Sequence, residues 1–263
     1  MKSIVSTVVF AAIVLVILSS AAAAPLAGRI VDLTHAFDAS TVYWPTETGF
    51  ALTKEHAEVT DKGYFYASNT FAAPEHGGTH VDAPLHFWAK GAAVDAIPLE
   101  QLIGPAVLVD VAEKTRANRD YQVDVEDFLA WERTHGLIPK GAIVLVRTGF
   151  GAYWPDRRRY LGTDERGDVG VANLHFPGLL PHAAIWLADT RKIHAIGLDT
   201  ASIDHGPSTL FESHVALFQR GVPAFENVAN LDRLPAKGFT VIALPMKIAG
   251  GSGGPLRIVA LLP

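Results

Sequence analysis

Short apolar runs bounded by Gly, Pro, Asn or Asp recur through the chain. They predict strands at Ile30 to Thr34, Tyr64 to Phe71, Ala106 to Val111, Ala142 to Arg147, Ile193 to Leu198, Phe239 to Leu244 and Leu256 to Leu262. Helical stretches interrupt them. Asp124 can cap a helix over Val125 to His135, and Gly136 supplies its stop. A second helix begins near Pro181, which suits a first turn, and a third runs from Ser208 to Arg220 before Gly221. This mixture predicts an α/β or α+β domain with one large sheet, and no internal repeat or low-complexity linker divides it.

The N-terminus breaks the pattern. Met1-Lys2 precedes an uncharged run from Ser3 to Gly28 that includes Val8 to Leu18, and small residues fill Ser19 to Ala24. A basic start, an apolar core and a small-residue end predict a signal peptide over residues 1–24, cleaved near Ala22 to Ala24, ahead of one domain over residues 25–263. The alternative is an uncleaved anchor, because the run reaches the roughly 20 apolar residues that span a bilayer. Its alanine-rich end favours cleavage. The expected location is therefore periplasmic or secreted, without stable membrane association after cleavage.

With 263 residues, 49% of them hydrophobic and 19% charged, the chain is able to bury a substantial core. Loss of Lys2 with the leader moves the formal charge from −5 to −6, with no acidic or basic block, which argues against nucleic acid as a partner. The basic run Arg157-Arg158-Arg159 follows Trp154-Pro155-Asp156 and reads as a solvated loop. There is no cysteine, so the fold does without disulfides and any metal is held by nitrogen and oxygen.

A candidate for such a site lies between Glu75 and Phe87, where His76, His80, Asp82 and His86 fall within eleven residues. Gly77-Gly78 disfavours a helix across this segment and Pro84 closes it. In an extended segment His80 and Asp82 share one face, and His76 reaches that face from the glycine bend. His86 is either a proton carrier or a fourth ligand. More distant candidates are His214, on the third helix, and Glu226, after the turn Gly221 to Phe225. The polar run Gly197 to Pro207 leaves a predicted strand end, where α/β sites gather. Two other chemistries are disfavoured. The run Gly250 to Pro255 leads into a strand rather than opening a helix, so it is no phosphate loop. Neither Ser202 nor Ser213 sits in a Gly-x-Ser-x-Gly elbow.

The run His76 to Phe87 resembles the His-x-Gly-Thr-His-x-Asp-x-Pro-x-His-Phe signature of the metal-dependent cyclase family, which includes bacterial kynurenine formamidases and isatin hydrolases. The likeness extends to Tyr43-Trp44-Pro45, Gly197 to Asp204, His214, Glu226 to Leu231 and Leu244 to Lys247. It therefore covers nearly all of the mature chain. The resemblance implies a swivelling β/β/α fold, an α/β arrangement with a mixed sheet and flanking helices, in a homo-oligomer, expected to be a dimer. It implies that His76, His80 and Asp82 bind a divalent metal, manganese before zinc, with His214 and Glu226 completing a second site or its surroundings. His86 then transfers protons, and Trp44 borders the substrate. Phe87 and Trp88 are further candidate walls for a flat ring.

The implied reaction is hydrolysis of a small aromatic amide, in which metal-bound water opens a cyclic amide, isatin to isatinate. The stretch from Gly149 to Pro181, with His175-Phe176-Pro177-Gly178, leans toward the longer isatin hydrolase-like branch. Hydrolysis of N-formylkynurenine to kynurenine and formate is the alternative. A non-catalytic exported metal- or ligand-binding protein is the alternative of another class.

Overall fold

The computed structural model describes residues 28–263, so the expected signal peptide lies outside the described residues. In chain order the strands are β1 (Ile30–Asp32), β2 (Ala51–Val59), β3 (Phe65–Ala72), β4 (His80–Asp82), β5 (Ile103–Asp110), β6 (Gln122–Val123), β7 (Ile143–Arg147), β8 (Gly178–Leu179), β9 (Ala195–Leu198), β10 (Ala224–Glu226), β11 (Lys237–Pro245) and β12 (Gly253–Leu261). One mixed sheet takes the order β1, β12, β11, β5, β7, β9, β10, β4. Because β4 pairs again with β12, the sheet closes on itself. The run β5, β7, β9, β10 is parallel, and the other pairings in this sheet are antiparallel.

The central strands read as unbroken apolar runs because both of their faces are covered. Ala106 and Leu108 of β5, with Ile143 and Leu145 of β7, pack with Phe225, Val241 and Ile258 inside the closed sheet. Their neighbours Val107, Val109, Val144 and Val146 instead meet Phe128, Trp131, Ala183 and Leu217 on the outer helices. Those helices are Val125–His135, Pro181–Trp186 and Glu212–Phe218. The first has the expected limits, with Asp124 and Asp127 forming a reciprocal cap and Gly136 ending it at φ +88°. The third starts later than Ser208. Phe211 turns left-handed at φ +50°, and the carboxylate of Asp204 takes the N–H groups of Ser213 and His214.

Two other local expectations change. Arg157-Arg158-Arg159 is not a loop but the start of the helix Arg157–Leu161, where Asp156 accepts from the Arg159 N–H at 3.0 Å. The half-buried Arg157 donates from Nη1 to the Tyr43 carbonyl at 3.0 Å, which ties this helix to the segment bearing Trp44. The polar-rich β2 escapes an apolar-run reading, and it pairs with β3 in an exposed hairpin outside the closed sheet. Among the described residues no helix is long and apolar enough to cross a membrane.

Candidate metal centre and its pocket

Strand β4 lies between β10 and β12, with His80 opposite Glu226 and Asp82 opposite both Ala224 and Gly253. Two residues apart on an extended strand, His80 and Asp82 face the same side, where Glu226 arrives from the neighbouring strand. The approach to β4 requires glycine. Gly78 sits at φ +58°, and a Cβ there would come within 2.4 Å of the Phe37 ring; at Gly77 it would come within 2.1 Å of the Tyr43 ring. The Gly78 carbonyl accepts from Asn227 Nδ2 at 2.7 Å and from His80 Nδ1 at 3.0 Å. Since a carbonyl only accepts, the His80 proton is on Nδ1 and a lone pair is left on Nε2. That buried Nε2 has no hydrogen-bond partner, although Asp82 Oδ1 stands 3.0 Å away and Glu226 Oε2 3.5 Å away.

His214 is held by the same logic on a different element. Asp204 accepts from the backbone of Ser213 and His214, at 3.0 and 3.1 Å, and its Oδ2 also lies 2.6 Å from His214 Nδ1. One carboxylate thus fixes both the first helical turn and the ring. The other ring nitrogen of His214, Nε2, lies within hydrogen-bond distance of Asp82 Oδ2 at 3.2 Å and Glu226 Oε1 at 3.1 Å. His76 completes the arrangement with Nδ1 at 2.7 Å from Asp82 Oδ1. Two overlapping groups result, His76 with His80 and Asp82, and His214 with Glu226 and Asp82, each with its donor atoms within 4.8 Å of one another.

Imidazole lone pairs aimed at carboxylate oxygens repel unless a proton or a cation lies between them. With protons alone, burial opposes the charge on His80, but Asp82 and Glu226 outweigh it and raise the ring to about 9. Burial likewise opposes ionised Asp82, yet His80 and His76 hold it well below the carboxylate range. A divalent cation answers the same donors. Nitrogen and oxygen ligands, anchored by carbonyl and carboxylate partners behind them, are the usual surroundings of zinc or manganese. The unpartnered Nε2 of His80 shows that the residues fit such an ion.

His86 belongs to neither group. Its ring stacks on His76 with centroids 3.7 Å apart at 15°, and stands 6.2 Å from the His214 ring. Burial pushes its pKa down to about 4, which leaves a neutral imidazole at pH 7.

These groups form the floor of a cavity of about 220 Å³ walled by Val42, Tyr43, Trp44, Phe87, Phe211 and Ala201. Trp44 and Phe87, candidate substrate walls from the sequence, both line this cavity. Trp88 does not line this cavity; it packs against the core between sheet and helices. Phe211, Glu47 and Asn227 are lining residues that the sequence reading missed, and Asp204 was noticed only as part of a polar run. Phe211 is an isolated aromatic with no motif around it. Asn227 carried a clue, since it follows Glu226 and takes the left-handed φ of +53° that asparagine tolerates.

The Cyclase family model matches residues 31–205, more than half of the chain. The chain belongs to the Cyclase family. An isatin hydrolase from Roseibium aggregatum is 32% identical to this Cyclase member over 250 residues, covering 89% of the chain and 92% of that protein. A kynurenine formamidase from Salinibacter ruber is 31% identical over 235 residues, covering 88% and 96%. The solved structure of isatin hydrolase A from Ralstonia solanacearum superposes with a TM-score of 0.80 at 33% identity, covering 89% of this chain and 92% of that one. The expected α/β fold of the Cyclase family, a mixed sheet with flanking helices, is therefore the fold of this chain.

Proposed function

We propose that the chain is a metal-dependent hydrolase that opens a cyclic aromatic amide, isatin to isatinate. The observation that carries this reading is the cavity itself. Trp44, Phe87 and Phe211 bound it, the candidate metal ligands form its floor, and among the described residues no lysine or arginine lines it. A flat uncharged ring finds stacking partners there. A substrate carrying a carboxylate finds no cationic side chain to receive it.

In this reading His76, His80, Asp82, His214 and Glu226 hold one or two divalent ions. A bound ion supplies water of lowered pKa and positive charge for the oxygen on which negative charge develops. His86, neutral and beside His76, takes the proton released as water adds to the lactam carbon. Burial disfavours the imidazolium, so the proton passes on to the nitrogen released when the ring C–N bond breaks. The water hydroxyl ends on the new carboxyl carbon and its other proton on the aniline nitrogen, and the new carboxyl group releases its proton to solvent to give isatinate.

The test uses purified mature protein stripped of metal, reloaded separately with manganese and zinc, and offered isatin, N-formylkynurenine and simple lactams. Isatin opening, fastest with manganese, is expected. No turnover of any substrate with either metal would leave the non-catalytic binding protein as the better reading. Formate release without ring opening would favour the arylformamidase reading, which has one observation in its support: Glu47 lines the cavity with a carboxylate free of side-chain partners among the described residues, suited to an ammonium group. Trp44→Ala is expected to raise KM for isatin about tenfold, the scale of a lost stacking contact of about 1.4 kcal/mol. An unchanged KM would remove Trp44 from the substrate wall.

Export and assembly as a homodimer belong to the same proposal. The exposed apolar side chains Leu52, Val59, Phe65 and Phe71 of the hairpin support a second copy as the neighbour of that surface. Light scattering on the mature protein is expected to give twice the chain mass, with a monomer in Phe65→Glu. Cell fractionation tests the location.

A further inference from the structure

Resting on the metal-centre reading, we infer that Glu75 and Ser252 are positioning residues that fix which nitrogen of His76 meets the metal. Ser252 is presented by the run Gly250 to Pro255, whose last three residues pair with β4. Its backbone N–H and its hydroxyl both donate to Glu75 Oε2, at 3.0 and 2.7 Å. A carboxylate only accepts, so the single hydroxyl proton of Ser252 is committed to Glu75. The Ser252 oxygen is then an acceptor for His76 Nε2, which lies 2.8 Å away. His76 carries its proton on Nε2, and its Nδ1 lone pair is directed at the 2.7 Å approach to Asp82 Oδ1. His80 and His214 are anchored in the opposite sense, through Nδ1, and present Nε2.

The glycines on either side of Ser252 belong to the device. A Cβ at Gly251 would stand 2.6 Å from Glu75 Oε1, and one at Gly253 would stand 2.6 Å from His76 Cε1 and from the Val81 carbonyl. Only bare backbone lets Ser252 sit between the glutamate and the imidazole. The strand-forming glycine run that resembles a phosphate loop is a seat for His76. Because His86 stacks on His76, the same seat sets where His86 stands.

The experiment reads nitrogen shifts of the histidine rings in the zinc-loaded protein by two-bond ¹H–¹⁵N NMR, and zinc affinity by competition with a chelating indicator. In the wild type, His76 is expected to show zinc on Nδ1 and a protonated Nε2, with His80 and His214 reversed. Ser252→Ala and Glu75→Ala are expected to weaken zinc binding about 10–100-fold, the usual cost of losing a partner behind a ligand. Glu75→Gln, whose amide oxygen still accepts, is expected to recover most of that loss. Zinc on Nε2 of His76 in the wild type overturns the inference whatever the variants do. So does zinc affinity within about twofold of wild type in both alanine variants. If the wild type binds no zinc and no manganese, the metal-centre reading fails and this inference with it.

Discussion

Replacement of His86 by alanine is expected to leave metal content unchanged and to lower kcat about 10²–10⁴-fold, the range for loss of a positioned proton carrier. The geometry separates these two outcomes. His86 stands outside both ligand groups, against His76 through its ring face rather than through a nitrogen. No nitrogen of His86 belongs to either group of candidate ligand atoms. Its neutral form at pH 7 follows from burial, which opposes charge and brings the pKa down to about 4. A neutral imidazole is ready to accept a proton across the working range, so His86 should not limit the rate between pH 6 and 8. His80→Ala is expected to lose metal and rate together, because that ring supplies a buried nitrogen with no other partner. Metal analysis beside single-turnover kinetics checks both variants. Equal metal loss in the two would place His86 among the ligands and return the proton role to another group.

Much of the candidate site was legible because the residue types suited to holding a metal are rare together. His76, His80 and Asp82 signalled themselves by composition, and the alternation of an extended strand put two of them on one face. His214 and Glu226 were harder, since their closeness to β4 depends on a strand order in which β10 and β12 flank a strand of only three residues. Local pattern holds no record of such pairing. The roles that local pattern does not carry act through backbone and geometry. Asp204 works because the first turn of the His214 helix points N–H groups at it, and Ser252 because glycines let it come close to His76. Trp88 shows the reverse error: an aromatic beside the motif looks like a substrate wall, yet the short turn Pro84–His86 carries it onto the core. For the fold, runs buried on two faces announced β5, β7 and β9. Closure of the sheet through β4 and β12 joins residues far apart in the chain and left no local trace.

Removal of the metal is expected to abolish hydrolysis and to make the stripped protein lose stability as pH rises from about 6.5 to about 9. In the folded, metal-free chain protons must separate imidazole lone pairs from carboxylates. His80 is raised to about 9, and His214 is raised well above its ordinary value because Asp204, Asp82 and Glu226 outweigh burial. Below the unfolded value of about 6.5 these rings are protonated in both states, and their ion pairs contribute fully. As pH climbs toward 9 the unfolded chain has already given up its proton, and the folded chain must give it up as well. At about 1.4 kcal/mol per unit, His80 alone accounts for a fall on the order of 3 kcal/mol. Glu226, raised by burial and by Asp82, acts in the same sense. His35 and His86, both lowered to about 4 by burial, contribute in full above 6.5 and add no slope in this window. A bound cation replaces the protons, so the loaded protein should show a flat profile over the same range. Urea unfolding at pH 6, 7, 8 and 9, with and without metal, checks the pair of curves, and His80→Ala should make the stripped one less steep. A stripped wild type as stable at pH 9 as at pH 6 would mean that the three imidazoles and two carboxylates are not in charge contact, which removes the electrostatic reason for a cation at this centre.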